Sequence, residues 1–197
     1  IAAGSWDNTI YLFDSNGKLL WNYVAPEMIL SVSITPDGRY ISAGSVDSIY
    51  LLKNDGTLLW KYPTKGYTRT AVTPDGKYIV AGSDGGILYL FDSNGKILIQ
   101  KKIEEYYNID SVSISRYGDY ISTAGKKYSS VEFKGRDLIY YFDKKGNALW
   151  KYQSQYSSSP LDNNVQNRVA MTPDGASIAV ASDNQLYAFD KNGNLKL

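Results

Sequence analysis

Short apolar segments recur along the whole chain, each followed by a polar segment rich in Gly, Asp and Asn. Many alternate large apolar residues with small or polar ones, as in Ser31–Thr35 and Tyr40–Gly44. A period of two is typical of β-strands, and the intervening turn residues favour tight hairpins. The pattern therefore predicts an all-β chain of many short strands.

A longer period groups these strands into copies of one unit, which is clearest in Ser31–Tyr62. The glycine of its second turn recurs at 17, 56, 95, 146 and 193, in steps of 39, 39, 51 and 47 residues. Each full copy offers four strands, named A to D here. The A–B turn Thr35–Gly38 combines proline, whose φ is already near −65°, with glycine, which readily takes positive φ. We therefore predict that each copy is a four-stranded antiparallel meander.

Meanders that repeat at about 40 residues predict a β-propeller, because one small sheet must stack on its neighbours to bury both faces. A β-sandwich is the rival fold and does not account for so regular a period. We expect one domain, 1–197, with approximate repeats 1–28, 29–66, 67–108, 109–165 and 166–197. The first copy lacks strand A and the fifth ends within strand D. We therefore expect a fragment, an arc of about five blades from a six- to eight-bladed propeller whose open edges need further blades.

A motif around the C–D turn carries a family resemblance. The pattern Asp14-x-x-Gly17-x-x-x-Trp21 recurs in full at 143–150 and without the aspartate at 56–60. It resembles the docking motif of quinoprotein-type propellers, the pyrroloquinoline-quinone-like repeat family; WD-repeat propellers are more distantly similar. The resemblance covers essentially the whole chain and implies that the strand-D tryptophans, Trp21, Trp60 and Trp150, wedge between adjacent blades.

Three copies depart from this motif. Lys53 replaces the aspartate in the second copy, and Ile99 and Leu197 replace the tryptophan in the third and fifth. The resemblance therefore predicts the fold more firmly than the docking contacts in those copies.

The composition excludes several kinds of chemistry. The chain contains neither cysteine nor histidine, so disulfides, thiol nucleophiles, Ser-His-Asp systems and histidine metal sites cannot be built from it. Its 21 basic and 20 acidic residues leave a net charge of +1, which argues against nucleic-acid binding. No apolar run approaches the roughly 20 residues that span a bilayer. We predict no catalytic, cofactor-binding or metal-binding residue and expect a protein that is not an enzyme.

Four aspartates, Asp7, Asp47, Asp84 and Asp183, occupy one recurring slot before strand C. Asx turns between strands B and C account for this placement. The alternative is a ring of carboxylates on one face of the propeller that binds a cation or a polar ligand.

Two insertions point to one rim of the propeller. About ten extra residues lie within Lys126–Arg136, between strands B and C of the fourth copy, and about eight within Gln153–Gln166. B–C loops and D–A connections leave the same rim of an up-and-down blade, and repeat proteins often bind through such a rim. The connection Lys101–Asn108 adds charge and two tyrosines there. The candidate interaction residues are Glu104, Glu105, Tyr106, Tyr107, Lys126, Lys127, Tyr128, Lys134, Arg136 and Tyr156.

These observations favour a non-catalytic scaffold that presents this rim to another protein or to another domain of its own chain. The alternatives are a quinone-dependent dehydrogenase, which the resemblance suggests, and a carbohydrate-binding propeller that stacks sugars on the rim tyrosines. The resemblance also favours an extracytoplasmic or cell-surface location, although the lack of cysteine suits either compartment.

Overall fold

The structure is a computed structural model that describes residues 1–105, 107–128, 135–154, 166–182 and 185–196. Within these ranges the chain forms 18 β-strands and no helix. No described segment is therefore a helix long and apolar enough to cross a membrane.

The strands form five antiparallel sheets, or blades, in which neighbours in sequence pair with each other. Blade 1 contains β1 (Ala2–Gly4), β2 (Thr9–Phe13) and β3 (Leu19–Val24). Blade 2 contains β4 (Ile29–Ile34), β5 (Tyr40–Ser45), β6 (Ser48–Lys53) and β7 (Leu58–Pro63). Blade 3 contains β8 (Thr68–Val72), β9 (Tyr78–Ser83), β10 (Ile87–Asp92) and β11 (Ile97–Lys102). Blade 4 contains β12 (Tyr107–Ile114), β13 (Tyr120–Tyr128), β14 (Gly135–Asp143) and β15 (Ala148–Gln153). Blade 5 contains β16 (Arg168–Met171), β17 (Ser177–Ser182) and β18 (Gln185–Asp190).

This architecture confirms the predicted arc of β-propeller blades. Blades 2, 3 and 4 have four strands, and blade 1 begins with strand B, as the repeat pattern indicates. In blade 5, Leu195 pairs with Phe189 only through an isolated bridge.

Among the described residues, four hydrophobic cores lie between successive blades, and strand C of blades 2, 3 and 4 each contributes to two of them. Tyr50 and Leu52 of β6 pack in the core shared with blade 1, whereas Ile49 and Leu51 pack against blade 3. All four side chains are fully buried. Successive residues of a strand point to opposite faces, so an apolar run is needed wherever both faces are covered. Apolar packing therefore acts mainly between neighbouring blades.

The strand-D tryptophans join each blade to the C–D turn of the next. Their indole Nε1 atoms donate to main-chain carbonyl oxygens over 2.7 Å for Trp21 to Asn54, 3.1 Å for Trp60 to Ser93 and 3.0 Å for Trp150 to Lys191. The turn glycine makes this contact possible. Gly95 has a φ of +82°, and a Cβ atom there would lie 2.9 Å from Cγ of Trp60.

The aspartate of the motif shapes the same turn. Asp92 Oδ1 accepts hydrogen bonds from the main-chain N–H groups of Asn94 at 2.9 Å and Lys96 at 3.0 Å. Asp, Gly and Trp of one copy thus have separate roles. Asp and Gly shape the C–D turn, on which the tryptophan of the preceding blade docks. The tryptophan of the same copy docks on the C–D turn of the following blade.

Blade 3 replaces the tryptophan without losing the contact. Ile99 packs against Gly146 of blade 4, where a Cβ atom would lie 3.2 Å from Cγ2 of Ile99. Lys101 Nζ donates to the carbonyl oxygen of Gly146 over 3.0 Å, in place of the indole hydrogen bond. Leu197, which replaces the tryptophan in the fifth copy, lies outside the described residues.

Candidate functional site

The first insertion lengthens a hairpin. Strands β13 and β14 have nine residues each, whereas the corresponding strands of blades 2 and 3 have six. The additional pairs are Lys126 with Asp137, Lys127 with Arg136 and Tyr128 with Gly135. Both ends of the segment 126–136 are therefore strand rather than loop. Three more pairs extend the hairpin by about 10 Å.

Asp137 joins this hairpin to the second insertion. The main-chain N–H of Ser154 donates to the Asp137 carbonyl oxygen at 3.0 Å, and the Asp137 N–H donates to Ser154 Oγ at 2.9 Å. On the far side of the insertion, Asn167 Nδ2 donates to Asp137 Oδ1 at 3.2 Å. The segment 155–165 lies outside the described residues, and the residues on either side of it thus meet at the base of the hairpin.

We call this surface the blade-4 rim. Its described residues are 103–105, 126–128, 135–137, 153–154 and 166–167.

Glu104 links the connection before blade 4 to the hairpin. Its carboxylate accepts hydrogen bonds from Lys127 Nζ, from the Tyr140 hydroxyl and, at 3.1 Å, from Lys151 Nζ. Burial disfavours the charged carboxylate, but these three donors together outweigh that effect and lower the pKa of Glu104 to about 2.

The same arrangement occurs in blade 2, which shows that part of it belongs to the repeat. Glu27 accepts a hydrogen bond from the Tyr50 hydroxyl at 2.9 Å and lies 3.6 Å from Lys61 Nζ. These are the positions that correspond to Glu104, Tyr140 and Lys151. Lys127 is the addition in blade 4, and it ties the lengthened hairpin to the framework. The Glu104 carboxylate is therefore engaged within the blade.

Two of the predicted rim residues do not lie on the surface. Tyr107 is fully buried, and its hydroxyl lies 3.1 Å from Thr123 Oγ1 and donates to the Leu138 carbonyl oxygen at 3.0 Å. Lys126 is only 6% exposed. The sequence places Tyr107 in a connection, but the longer β13 continues to pair with β12, so that β12 begins at Tyr107 and turns this side chain into the core.

The other predicted residues lie closer to solvent where the structure describes them. Lys127 and Arg136 are half-buried, and Glu105 is exposed, with an ion pair of 2.7 Å to Lys102. Tyr106, Lys134 and Tyr156, together with the side chain of Tyr128, lie outside the described residues.

Two of the recurring aspartates before strand C, Asp7 and Asp47, make local side-chain contacts. Asp7 Oδ1 accepts from the Thr9 N–H at 2.9 Å, and its Oδ2 accepts from the Tyr11 hydroxyl at 2.7 Å. Asp47 accepts from the Ser48 hydroxyl at 2.8 Å, and Asp183 lies outside the described residues. In the part of the chain that the structure describes, no group of three or more acidic side chains could hold a metal ion.

A second polar cluster lies where the inner strands β4, β8, β12 and β16 meet. Equivalent positions on these strands carry Ser31, Arg69, Ser111 and Arg168. The serine hydroxyls accept hydrogen bonds from the next blade, Ser31 from the Thr70 N–H at 3.3 Å and Ser111 from the Val169 N–H at 3.1 Å. Serine thus joins neighbouring inner strands, and two blades carry arginine instead.

Arg69 is 8% exposed, and its Nε and Nη1 atoms have no hydrogen-bond partner among the described residues. Burial, which disfavours the guanidinium charge, lowers its pKa. Asp110 lies at a β-bulge between Ile109 and Ser111 and accepts a hydrogen bond from the Asn167 N–H at 3.2 Å. Burial raises the pKa of Asp110 to about 6, against the attraction of Arg69 and Lys126.

The sequence analysis missed Arg69. The signal was present in the alignment of strand A. Arg69 occupies the strand-A position that holds Ser31 in blade 2 and Ser111 in blade 4. A long cationic side chain there replaces a short hydroxyl that hydrogen-bonds to the next blade.

Comparison with known proteins agrees with the observed fold. The family model described as outer membrane protein assembly factor BamB, a family of PQQ-like repeats, matches residues 1–124. Among solved structures, a chain of Kuenenia stuttgartiensis hydrazine synthase is similar, with a TM-score of 0.75 and 15% sequence identity. The match covers 99% of this chain and 63% of that chain, so the present chain spans less than two thirds of its length. No curated protein matches the sequence.

Proposed function

Because the chain belongs to the BamB-like family of PQQ-like repeat propellers, we propose that it is a non-catalytic scaffold that presents the blade-4 rim to another protein or to another domain of its own chain. The observation that carries this proposal is the double attachment at Asp137. A lengthened hairpin and the flanks of an eleven-residue segment, 155–165, are fixed at one place on an otherwise regular repeat.

The contacts of the rim support a binding role. Lys127, Glu104 and Asp137 hold the base of the hairpin in place. Rigid scaffolds with variable loops commonly bind through those loops. A prearranged base also limits the conformational entropy that is lost on binding.

A role without catalysis is supported by how the described rim groups are engaged. Glu104 and Asp137 accept hydrogen bonds within the blade. A calcium-bound quinone needs several convergent carboxylates, and the described residues offer no such cluster. The family is described as an outer membrane protein assembly factor, which makes the proteins of an assembly machinery the first class of partner to test.

The test shortens the hairpin and leaves its base unchanged. Residues 129–134 are replaced by Asn-Gly, which favours a two-residue hairpin turn between Tyr128 and Gly135. The variant and the wild type are crosslinked in their native cells, and recovered partners are measured by quantitative mass spectrometry. Arg39→Gln serves as the control, because this exposed residue lies in the A–B turn on the opposite rim.

We expect the shortened variant to lose at least one partner that both the wild type and Arg39→Gln recover. The same partner, once purified, should bind the wild type more tightly than the shortened variant in calorimetry. Equal recovery and equal affinity for the shortened hairpin would refute the proposed role of this rim.

A further inference from the structure

The A–B turn of blade 4 differs in sequence from the other A–B turns. Blades 2, 3 and 5 have Thr-Pro-Asp-Gly there, whereas blade 4 has Ser115–Gly118, with Arg116 and Tyr117 in place of proline and aspartate. The turn itself keeps its shape, since Gly118 has a φ of +76° and its N–H donates to the Ser115 carbonyl oxygen at 3.0 Å. The two replacements therefore need a reason other than the shape of the turn.

The aspartate of the other turns makes hydrogen bonds that Tyr117 does not make. In blades 2, 3 and 5 it accepts from the threonine hydroxyl at 2.7, 2.8 and 2.6 Å, and from the main-chain N–H two residues further on. Tyr117 is instead 68% exposed, and its ring centroid lies 5.7 Å from Cζ of Arg116. The turn thus loses two hydrogen bonds and gains little burial from this tyrosine.

Arg116 combines a structural contact with a charge that lacks an acid. Its main-chain N–H donates to the Pro173 carbonyl oxygen of blade 5 at 2.7 Å. Its exposed guanidinium forms no ion pair or hydrogen bond with the residues that the structure describes. Asp119 of the same turn pairs with Lys144 at 3.3 Å, and Asp174 of the adjacent turn accepts hydrogen bonds within that turn. The guanidinium is therefore open to a carboxylate from outside the chain.

The turn borders a groove between blades 4 and 5. The Tyr120 N–H donates to Ser115 Oγ at 3.0 Å and so closes the turn, and Tyr120 also lines the groove, whose volume is about 420 Å³. The other lining residues are Tyr141, Leu149, Trp150, Lys191 and Asn192. Leu149 is 50% exposed, and Lys191 is an exposed cation that forms no ion pair with the described residues. The described lining contains no acid.

We propose that this turn and groove bind an acidic peptide segment of a protein partner. Its carboxylates pair with Arg116 and Lys191, and its apolar side chains pack in the groove and on the Tyr117 ring. A guanidinium presents a fork of donors that matches a carboxylate, and exposed tyrosine and arginine are typical anchors of protein interfaces. This surface lies on the rim opposite the blade-4 rim, so the two proposals stand or fall separately.

The experiment applies the intact labelled chain to an array of short random peptides. We expect the bound peptides to be enriched in Asp and Glu next to apolar residues. The strongest binder is then synthesised with its acids intact and, separately, with Asn and Gln in their place. Fluorescence anisotropy should show that the amide version binds about tenfold more weakly or worse, because each charge-assisted hydrogen bond to the chain is lost.

Two variants test the residues themselves. Tyr117→Asn returns an acceptor oxygen to the turn without adding charge, so it should melt at or above the wild-type temperature while binding the acidic peptide about tenfold more weakly. Arg116→Gln keeps the main-chain hydrogen bond to Pro173 and should weaken binding to a similar degree. Tyr117→Phe keeps the ring and should bind as the wild type does. Arg39→Gln is the matched control, because Arg39 of the blade-2 turn already pairs with Asp37 at 3.2 Å.

Three results would overturn the proposal. The first is equal binding of the acidic peptide and its amide version. The second is unchanged affinity in both Tyr117→Asn and Arg116→Gln, which would place the peptide elsewhere on the chain. The third is an array without bound peptides combined with sedimentation on phosphatidylglycerol vesicles, but not on phosphatidylcholine vesicles, that Tyr117→Asn loses. That outcome would assign the surface to an anionic membrane instead of a protein.

Discussion

At the scale of single residues, the repeat depends on turn glycines against which aromatic rings of the preceding blade pack. Trp60 packs against Gly95 in a C–D turn, and Tyr40 packs against Gly76 in an A–B turn. A Cβ atom added at Gly76 would lie 2.4 Å from the Tyr40 ring. The sequence analysis interpreted these glycines as turn residues with positive φ. Their second role, as contact surfaces between blades, is visible only when neighbouring blades are placed side by side.

Gly95→Ala separates these two roles. Its control is Gly17→Ala, because Gly17 has nearly the same φ, +80° against +82°, but no atom within 4 Å of the added Cβ. The left-handed backbone should cost each variant about 1–2 kcal/mol, and the clash with Trp60 should cost Gly95→Ala a further 1–3 kcal/mol or so. Urea unfolding measures both. Equal losses in the two variants would show that the tryptophan contact adds nothing.

Glu104 provides a test that depends on pH. Folding lowers the pKa of this carboxyl from 4.5 to about 2. It therefore stabilises the folded state above about pH 4.5, and this contribution is lost as the pH falls towards 2. Glu104→Gln should destabilise the chain by about 1–3 kcal/mol at pH 7, and its difference from the wild type should shrink below pH 4.

Glu105→Gln is the matched control, since Glu105 is exposed and its ion pair with Lys102 lies at the surface. It should change the free energy of unfolding by less than about 0.5 kcal/mol at any pH. Denaturant unfolding across the pH range checks both variants. A constant difference between Glu104→Gln and the wild type from pH 7 to pH 3 would contradict the assigned hydrogen bonds.

At the scale of strands and turns, the sequence predicts the blades well because each strand follows from a local pattern. Alternation, the Thr-Pro-Asp-Gly turns and the C–D turns specify the meander with no knowledge of its neighbours. The lengthened hairpin of blade 4 could not be predicted in this way. Residues 126–128 and 135–137 have a composition that suits either a loop or a strand, and only the pairing of β13 with β12 and β14 decides between them.

The candidate site was predictable only in part, for the same reason. The position of the rim follows from the length of the insertions, whereas the burial of Tyr107 and Lys126 follows from the longer pairing. The polar cluster around Arg69 is harder still to foresee, because it is formed by residues from four separate strands. A single arginine in an inner strand resembles any other polar position of an alternating pattern.

At the element scale, Lys101 offers a prediction about how blade 3 compensates for its missing tryptophan. Lys101→Met keeps an aliphatic side chain of similar length but removes the hydrogen bond of 3.0 Å to the Gly146 carbonyl oxygen. We expect a loss of about 0.5–1.5 kcal/mol in the free energy of unfolding. Lys102→Met, in the same strand with an exposed ion pair, should lose less. Equal losses would contradict the role of Lys101 in docking.

At the scale of the whole molecule, the four separate cores formed by the described residues make this part of the chain a linear array of interfaces. Each described core cluster joins blades that are adjacent in the sequence, so a local change should act mainly on the two blades that share it. A compact domain with a single core would instead transmit the change throughout.

Trp150→Ala tests this difference. Its ring lies 5.3 Å from the rings of Tyr141 in blade 4 and Phe189 in blade 5, and its Nε1 donates to the Lys191 carbonyl oxygen. Losing these contacts should cost about 3–5 kcal/mol at the interface between blades 4 and 5. Hydrogen exchange of β17 and β18 should accelerate strongly, that of β14 less, and that of β2 and β6 not at all. Equal acceleration in all five sheets would show that the arc unfolds as one cooperative unit, because the coupling between blades would then exceed the stability of any single interface.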